Sequence, residues 1–217
     1  MIKLCTFDLD GTTADTIKSI RYYVNIVLSE YGYAPIPTEE FPQYVGAGGR
    51  AMFEKLQANL GFAENWIDTM FARWKELYAE GYTYLTEAFP GIPELLRDLR
   101  AAGIHTAILT NKADHIAKGI AKALFGDSVE ATVGDYPGGK LKPDPTNLLA
   151  LCRQFGAAPA ECLHVGDSLA DIAAAKNAGT HSCAVSWGYV NFPTLQTANP
   201  DFSVHNAAEI LQCVQNV

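Results

Sequence analysis

From Phe89 onward, short apolar runs alternate with segments whose apolar residues recur at helical spacing. The predicted strands are His105–Leu109, Ala131–Val133, Cys162–Val165, His181–Val185 and Phe202–Val204. The predicted helices span about Ile92–Ala102, Asp114–Leu124, Pro145–Phe155, Ser168–Ala178 and Ala207–Val214. Such alternation is typical of a parallel, doubly wound sheet with helices on both faces. We therefore predict an α/β fold with a Rossmann-like core.

The N-terminus supplies a further strand, which an insertion separates from the rest of the sheet. Ile2–Leu9 is a β-prone apolar run that ends in acids and fits a buried strand of a parallel sheet. Between about Asp15 and Tyr82, apolar residues recur only at helical spacing, and no strand is predicted. The sequence thus predicts a core domain from residues 1–14 and 84–217 and an inserted helical cap domain from residues 15–83.

The composition is that of a globular protein and disfavours several classes of partner. With 48% hydrophobic and 18% charged residues among 217, the chain is neither disordered nor collagen-like. Its net charge of −8 argues against a nucleic-acid partner, since phosphate backbones require a basic surface. An anionic substrate would therefore depend on local charge, a metal or backbone N–H groups.

Targeting and redox signals favour a cytoplasmic protein without a membrane partner. Asp8 interrupts the N-terminus before the apolar region of a signal peptide develops. The longest stretch without Asp, Glu, Lys or Arg, Asn177–Pro200, is rich in polar residues and contains two prolines. The five cysteines are odd in number and lack CxxC spacing, which indicates buried thiols rather than disulfides or zinc ligands. We expect a monomer or a weak homodimer.

Charged and hydroxylic residues follow several of the predicted strands. In doubly wound sheets, ligands bind outside the carboxyl ends of the strands, so these residues are expected at one site. The segments that carry them are Asp8 to Asp10, Thr110-Asn111-Lys112, the loop Lys140–Pro145 with Lys142, and Gly166-Asp167-Ser168 followed by Asp171.

The acids of this edge suit a divalent cation and phosphoryl transfer. Asp8 and Asp10 are two residues apart, so on a strand they would share a face. Two such carboxylates repel each other unless a cation lies nearby, and Asp167 would complete an oxygen cage suited to Mg²⁺. One carboxylate can attack phosphorus and form an aspartyl-phosphate, while its neighbour acts as general acid and base.

Other groups at the same edge can stabilise the phosphoryl oxygens. Thr110 offers a hydroxyl donor and Lys142 a cation, both useful where charge develops during transfer. Gly11 and Thr12 would bring backbone N–H groups close to the phosphate. The five histidines form no metal-binding spacing and are interpreted as structural.

These segments resemble the four ordered motifs of the haloacid dehalogenase-like hydrolase superfamily. The motifs are Asp8-Leu9-Asp10-Gly11-Thr12, Leu109-Thr110-Asn111, Lys142-Pro143, and Gly166-Asp167-Ser168-Leu169-Ala170-Asp171. The helical insertion after the first motif is similar to the cap of one of its subfamilies, and the resemblance covers essentially the whole chain. Within that subfamily, the chain looks most like phosphoglycolate phosphatases, on the evidence of Thr110-Asn111-Lys112, Lys142-Pro143-Asp144-Pro145 and Trp187-Gly188-Tyr189.

The resemblance implies a Mg²⁺-dependent phosphatase for a small phosphorylated metabolite, with 2-phosphoglycolate favoured. Asp8 would be the nucleophile and Asp10 the general acid and base. The implied catalytic residues are Asp8, Asp10, Thr110 and Lys142, and the implied substrate-binding residues in the core are Gly11, Thr12 and Asn111. The implied metal site comprises Asp8, Asp10 (through its carbonyl), Asp167 and, through water, Asp171. Thr13 departs from the pattern, since relatives usually carry an aliphatic residue there.

Two alternatives remain at this point. A phosphosugar mutase of the β-phosphoglucomutase type would use the same two acids, but Gly166 stands where such mutases usually carry an acid. A catalytically idle phospho-ligand sensor is disfavoured by the intact motifs, and a dehalogenase by the presence of Asp10. The segment Gly46–Ala51 formally matches a dinucleotide-binding fingerprint, but no strand is predicted before it.

Arg50 of the predicted cap is our candidate for recognising the substrate carboxylate, which its planar guanidinium could bind through two hydrogen bonds. Arg50→Ala should lower kcat/KM for phosphoglycolate by about ten- to a hundredfold, the worth of one charge-assisted contact. Hydrolysis of p-nitrophenyl phosphate, which lacks the carboxylate, should stay nearly unchanged. Equal losses on both substrates in steady-state assays would contradict this role.

Overall fold

The computed structural model describes residues 1–46 and 48–215, and the chain divides into two compact units. The core unit comprises Met1–Asp15 and the residues from Ala88 onward, and the helical unit is Thr16–Glu87. The division lies one residue from the first predicted boundary and four from the second. The chain passes between the units in two short strands that form a separate two-stranded sheet.

The core unit is built on a six-stranded sheet. The strands of the chain are β1 (Leu4–Phe7), β2 (Ala14–Asp15), β3 (Glu87–Ala88), β4 (His105–Ala113), β5 (Ala131–Asp135), β6 (Cys162–Gly166), β7 (His181–Val185) and β8 (Phe202–Val204). The sheet has the order β5-β4-β1-β6-β7-β8, and all of its neighbours pair in parallel. The predicted α/β fold with a parallel sheet is therefore confirmed.

Helices cover both faces of the sheet, which explains why β1 is buried along its whole length. The helices of the chain are α1 (Ile17–Glu30), α2 (Gly49–Leu60), α3 (Ile67–Gly81), α4 (Ile92–Ala101), α5 (Asp114–Phe125), α6 (Thr146–Gln154), α7 (Leu169–Ala178), α8 (Phe192–Gln196) and α9 (Ala207–Gln215). Helix α4 contacts α5 and α9, and α6 contacts α7, so the helices form two groups. Leu4 and Cys162 share an apolar cluster with Leu148 and Leu151 of α6.

The helical unit contains α1, α2 and α3, with α3 in contact with both of the others. Its core is apolar and aromatic: Val24 and Leu28 of α1, Phe53 of α2 and Met70 of α3 are fully buried. Trp74 stacks on Tyr78 with ring centroids 4.8 Å apart. The predicted absence of strands from this insertion agrees with the part of it that the structure describes, apart from the short strand residues at its boundaries.

Two strand ends differ from prediction in ways that affect the site. Strand β1 ends at Phe7 rather than Leu9, so Asp8 and Asp10 lie in the following turn, and strand alternation does not place them on one face. Strand β4 continues to Ala113, because pairing with β5 resumes at Asp135 after a register shift beyond Leu109. The Thr110-Asn111-Lys112 segment is therefore part of the strand rather than the loop after it.

The buried thiols were predicted correctly: all five cysteines are buried and free. Among the described residues, no helix combines the length and the apolar character that crossing a bilayer requires.

Candidate active site

Three buried aspartates meet at the carboxyl ends of two neighbouring strands. Asp8 directly follows β1, Asp167 directly follows β6, and Asp171 lies in the first turn of α7. Each contributes a carboxylate oxygen to a group in which all such atoms lie within 4.8 Å of one another. Their exposed fractions are 8%, 3% and 0%. The predicted convergence of separate segments at one sheet edge is thus present in the core unit.

The ammonium of Lys142 links two of these carboxylates. Its Nζ lies 2.8 Å from Asp8 Oδ1 and 2.6 Å from Asp171 Oδ1, and donates to the carbonyl of Leu109 at 2.9 Å. The side chain is only 2% exposed, so these three acceptors use all three of its donors in place of water.

Asn111 fixes the backbone from which Lys142 extends. Its Nδ2 donates to the carbonyl of Lys142 at 3.0 Å, and the Lys142 N–H donates to Asn111 Oδ1 at 2.8 Å. The amide of Asn111, a predicted substrate-binding group, is therefore paired with protein on both sides. The pairing ties the loop that carries Lys142 to strand β4.

The carboxylate of Asp167 accepts two hydrogen bonds, and its side chain packs closely against two glycines. Thr12 Oγ donates to Oδ1 at 2.9 Å, and the Tyr189 N–H donates to Oδ2 at 2.8 Å. A Cβ at Gly11 would lie 2.3 Å from Asp167 Oδ2, and one at Gly188 would lie 2.1 Å from Asp167 Cβ. Gly11 also has a φ of +82°, which favours glycine. Both positions exclude any side chain.

Asp171 closes a capping box at the start of α7. Ser168 donates to Asp171 Oδ2 from its hydroxyl at 2.5 Å and from its N–H at 3.0 Å. Asp171 Oδ1 accepts from Lys142 and lies 3.2 Å from His164 Nε2. A Cβ at Gly166 would lie 2.2 Å from Asp171 Cγ, so this position has no room for a side chain.

Asp10 has a lysine partner that the sequence analysis did not select. Lys112 Nζ lies 3.0 Å and 3.2 Å from the two oxygens of Asp10, and its side chain is 7% exposed. Thr110, on the same strand, is 4% exposed, and its hydroxyl accepts the Lys112 N–H at 3.3 Å. The sequence feature that could have identified Lys112 as a site residue is its position directly after Thr110-Asn111.

The N–H groups of Gly11 and Thr12, which are predicted to lie close to a phosphate, already have hydrogen-bond acceptors in the turn after β1. Gly11 N–H donates to the carbonyl of Ala14 at 3.0 Å, and Thr12 N–H donates to the carbonyl of Leu9 at 3.3 Å. The turn after β1 uses these donors itself, so a phosphate would compete with two carbonyls for them, and their role in phosphate binding stays a prediction. Trp187 Nε1 braces the same turn by donating to the Thr12 carbonyl at 3.0 Å.

The three carboxylates differ in electrostatics. Burial raises the pKa of Asp8 to about 6, against the opposing effect of Lys142. Burial and the nearby charges of Asp8 and Asp171 raise the pKa of Asp167 to about 8. Burial also opposes ionisation of Asp171, but Lys142 and His164 outweigh it and hold the pKa of that carboxyl well below its usual range.

This cluster fits a divalent cation. When all three carboxylates are ionised, the single ammonium of Lys142 leaves two of their negative charges uncompensated, and this repulsion adds to burial in raising the pKa of Asp167. The atoms available are carboxylate oxygens, the ligands that hard divalent cations prefer. The arrangement can therefore bind such a cation where Asp8 and Asp167 approach each other.

A comparison with known proteins identifies the family. A model of haloacid dehalogenase-like hydrolases matches residues 2–179. The chain belongs to this family. The phosphoglycolate phosphatase of Aquifex aeolicus is 31% identical, over 99% of this chain and 98% of that protein. The N-acetylmuramic acid 6-phosphate phosphatase of Pseudomonas aeruginosa is 30% identical, over 88% of this chain and 84% of that protein.

A solved structure has a similar fold over nearly the whole chain. A predicted phosphoglycolate phosphatase from Haemophilus somnus has a TM-score of 0.89 and 25% identity, with 98% of this chain and 97% of that chain covered. The resemblance drawn from the four motifs is thereby confirmed, and those motifs are the segments that surround the three aspartates.

Arg50, the predicted recognition residue, lies in the first turn of α2 in the helical unit. Its guanidinium bonds Glu54 and, at 3.2 Å, Asp68, and its side chain is 54% exposed. Arg50 is thus paired with two acids of its own unit, and any anionic ligand would compete with them.

The excess of negative charge in the cluster of three aspartates predicts how the melting temperature depends on pH. Below its pKa of about 8, folded Asp167 keeps a proton that the unfolded chain, with an ordinary carboxyl pKa near 3.8, has released. In the presence of EDTA, the melting temperature should therefore fall as pH rises from about 6.5 to about 8. Added Mg²⁺ should remove this slope and stabilise the protein more at pH 8 than at pH 6.5, as measured by thermal unfolding.

The variant Asp167→Asn tests whether Asp167 causes the predicted fall of the melting temperature with rising pH. It should flatten the pH dependence in EDTA and abolish the Mg²⁺-induced rise in melting temperature. Asp127→Asn, which changes an exposed carboxylate paired with Lys122, is the matched control and should behave as the wild type. A full Mg²⁺ response in the Asp167 variant would exclude the cluster as the cation site.

Proposed function

We propose that the protein is a Mg²⁺-dependent phosphatase that hydrolyses a small phosphomonoester, with 2-phosphoglycolate favoured, through an aspartyl-phosphate on Asp8. The observation that carries the proposal is the buried Asp8 carboxylate, 2.8 Å from Lys142 and beside two further carboxylates. The relatives support the reaction class, since both named above are phosphatases.

In the first half-reaction, Asp8 attacks phosphorus. A bond forms between a carboxylate oxygen of Asp8 and phosphorus, the ester P–O bond breaks, and the leaving oxygen takes a proton from Asp10. Lys142 offsets the charge that would otherwise repel an anionic substrate from Asp8. The products of this step are the free alcohol and the phosphorylated aspartate.

In the second half-reaction, Asp10 removes a proton from water as the water oxygen attacks phosphorus. The bond between Asp8 and phosphorus breaks, which releases inorganic phosphate and restores the Asp8 carboxylate. Lys112 contacts both oxygens of Asp10 and would orient this carboxylate, which has further lone pairs for the reacting oxygen in each half-reaction.

The cation would be held by Asp8, Asp167 and the carbonyl of Asp10, and when bound it would offset the charge of the carboxylates and of the phosphoryl oxygens. Asp171 would support the cation through water, and it also holds Lys142 in place. Asn111 has a comparable positioning role, since it holds the Lys142 backbone. Thr110 would contact the phosphoryl group through its hydroxyl.

The helical unit is the proposed cap, and Arg50 is its proposed contact with the substrate carboxylate. For that contact, the ligand would use guanidinium donors beside those that bond Glu54 and Asp68, or would displace one of these acids. The alternative of a phosphosugar mutase is disfavoured by the packing at Gly166, where the acid usual in mutases would overlap Asp171.

The roles of the two acids can be separated by substitution. Asp8→Asn should abolish turnover and form no phosphoprotein, because the nucleophile is lost. Asp10→Asn keeps the nucleophile but loses the general base, so with p-nitrophenyl phosphate, whose leaving group needs little protonation, the phosphoprotein should accumulate. Intact-mass spectrometry measures both outcomes, and a phosphoprotein in the Asp8 variant would contradict the assignment.

Substrate and cation requirements are tested together by phosphate release. We expect the highest kcat/KM with 2-phosphoglycolate in a panel that also contains N-acetylmuramic acid 6-phosphate and p-nitrophenyl phosphate. EDTA should abolish turnover of every substrate, and added Mg²⁺ should restore it. Full activity in EDTA would refute the metal requirement, and a higher kcat/KM for another ester would replace the favoured substrate.

A further inference from the structure

A histidine lies beneath the active site, inside the sheet. His164 is in the middle of β6, fully buried, and pairs in register with Thr6 of β1. It lies on the same face of β6 as Cys162, the face that packs on α6. This position in a parallel sheet would ordinarily hold an apolar residue, because burying an imidazole costs free energy unless both nitrogens are hydrogen-bonded.

Both ring nitrogens of His164 have partners, and these partners define its tautomer. Nδ1 lies 2.8 Å from Thr6 Oγ, and Nε2 lies 3.2 Å from Asp171 Oδ1. Asp171 is ionised and can only accept, so Nε2 carries the proton and donates it. In a neutral imidazole whose proton is on Nε2, Nδ1 is the acceptor and takes the hydrogen bond of the Thr6 hydroxyl.

The hydrogen bond from His164 reaches an oxygen that Lys142 also uses. Asp171 Oδ1 lies 2.6 Å from Lys142 Nζ, and the same ammonium lies 2.8 Å from Asp8. A continuous series of polar contacts thus runs from Thr6 through His164, Asp171 and Lys142 to Asp8. Ser168 donates twice to the other oxygen, Oδ2, while Oδ1 has both Lys142 and His164 as neighbours, so His164 is one of the groups that hold this carboxylate in its orientation toward Lys142.

We propose that His164 is a positioning residue for phosphoryl transfer: its Nε2–H orients the Asp171 carboxylate, which places Lys142 at the nucleophile Asp8. Thr6 acts one step further back by holding the ring in the tautomer that donates. The inference rests on the proposed function, because its kinetic consequence requires that Asp8 be the nucleophile. It assigns a role in the reaction to a histidine that the sequence alone marks as structural.

The test uses variants that differ in whether a donor reaches Asp171. Glutamine can place an amide N–H near the position of Nε2, whereas asparagine is too short to do so. His164→Asn should lower kcat by about ten- to a hundredfold with KM changed little, since one hydrogen bond to a charged group is lost at a step after binding. His164→Gln should restore most of kcat, and phosphate release from p-nitrophenyl phosphate measures both.

A matched pair of hydroxyl deletions tests the role of Thr6. Thr6→Val removes the donor to Nδ1 and should reduce kcat in the same manner as His164→Asn. Thr106→Val removes another buried hydroxyl in the sheet, one near the start of β4 that donates to the carbonyl of Ser128 and not to any of the three aspartates, and should leave kcat unchanged. Equal effects of the two deletions on kcat and on melting temperature would overturn the positioning role.

Nuclear magnetic resonance provides a readout that does not require activity. Long-range ¹H–¹⁵N spectra of the wild type should show His164 as the neutral Nε2–H tautomer, and an Nδ1–H tautomer would overturn the inference. Equal losses of kcat in the asparagine and glutamine variants would also overturn it. If the wild type shows this tautomer but hydrolyses none of the phosphate esters, the proposed function fails while the hydrogen-bonded arrangement stands.

Discussion

Among the described residues, Lys142 is the lysine that contacts two of the three buried aspartates, and the arrangement of the site depends on this contact. Without an ammonium between them, Asp8 and Asp171 would be buried like charges, a condition that proteins avoid by protonation or unfolding. Lys142 can occupy this position because Asn111 of β4 holds its backbone and the carbonyl of Leu109 takes its remaining donor. One ion-paired side chain thus connects β1, β4 and α7.

Three glycines leave room for the carboxylates of Asp167 and Asp171. Gly11, Gly166 and Gly188 each lie where a Cβ would come within 2.3 Å of an atom of Asp167 or Asp171. The carboxylates are therefore packed directly against main chain, which excludes water and strengthens the electrostatic interactions among them. Burial and the charges of Asp8 and Asp171 raise the pKa of Asp167, whereas at Asp171 the effects of Lys142 and His164 outweigh burial and lower the pKa.

The sequence predicts the architecture well because strand and helix periodicities are local properties. His181–Val185 and Phe202–Val204 were predicted with their observed limits, and the four motifs located the site. Side-chain contacts between neighbouring strands could not be predicted from these local patterns. The pairing of Lys112 with Asp10 and the pairing of Asn111 with Lys142 join segments that only the folded sheet brings together. The hydrogen bonds that occupy Gly11 and Thr12 depend on the detailed path of the turn after β1, which residue spacing does not determine.

The position of β1 has a consequence for the order of folding during synthesis. Of the strands that the structure describes, β1 is synthesised before its sheet partners, yet it lies inside the sheet, and Leu4 pairs with His105 and Cys162, far along the chain. The helical unit, whose contacts are more local, is complete before either partner strand leaves the ribosome. Until then, both edges of β1 lack their sheet partners and are open to non-native pairing. Asp167 and Asp171 follow β6, so the acid cluster is assembled only after β6 and the start of α7 have been translated.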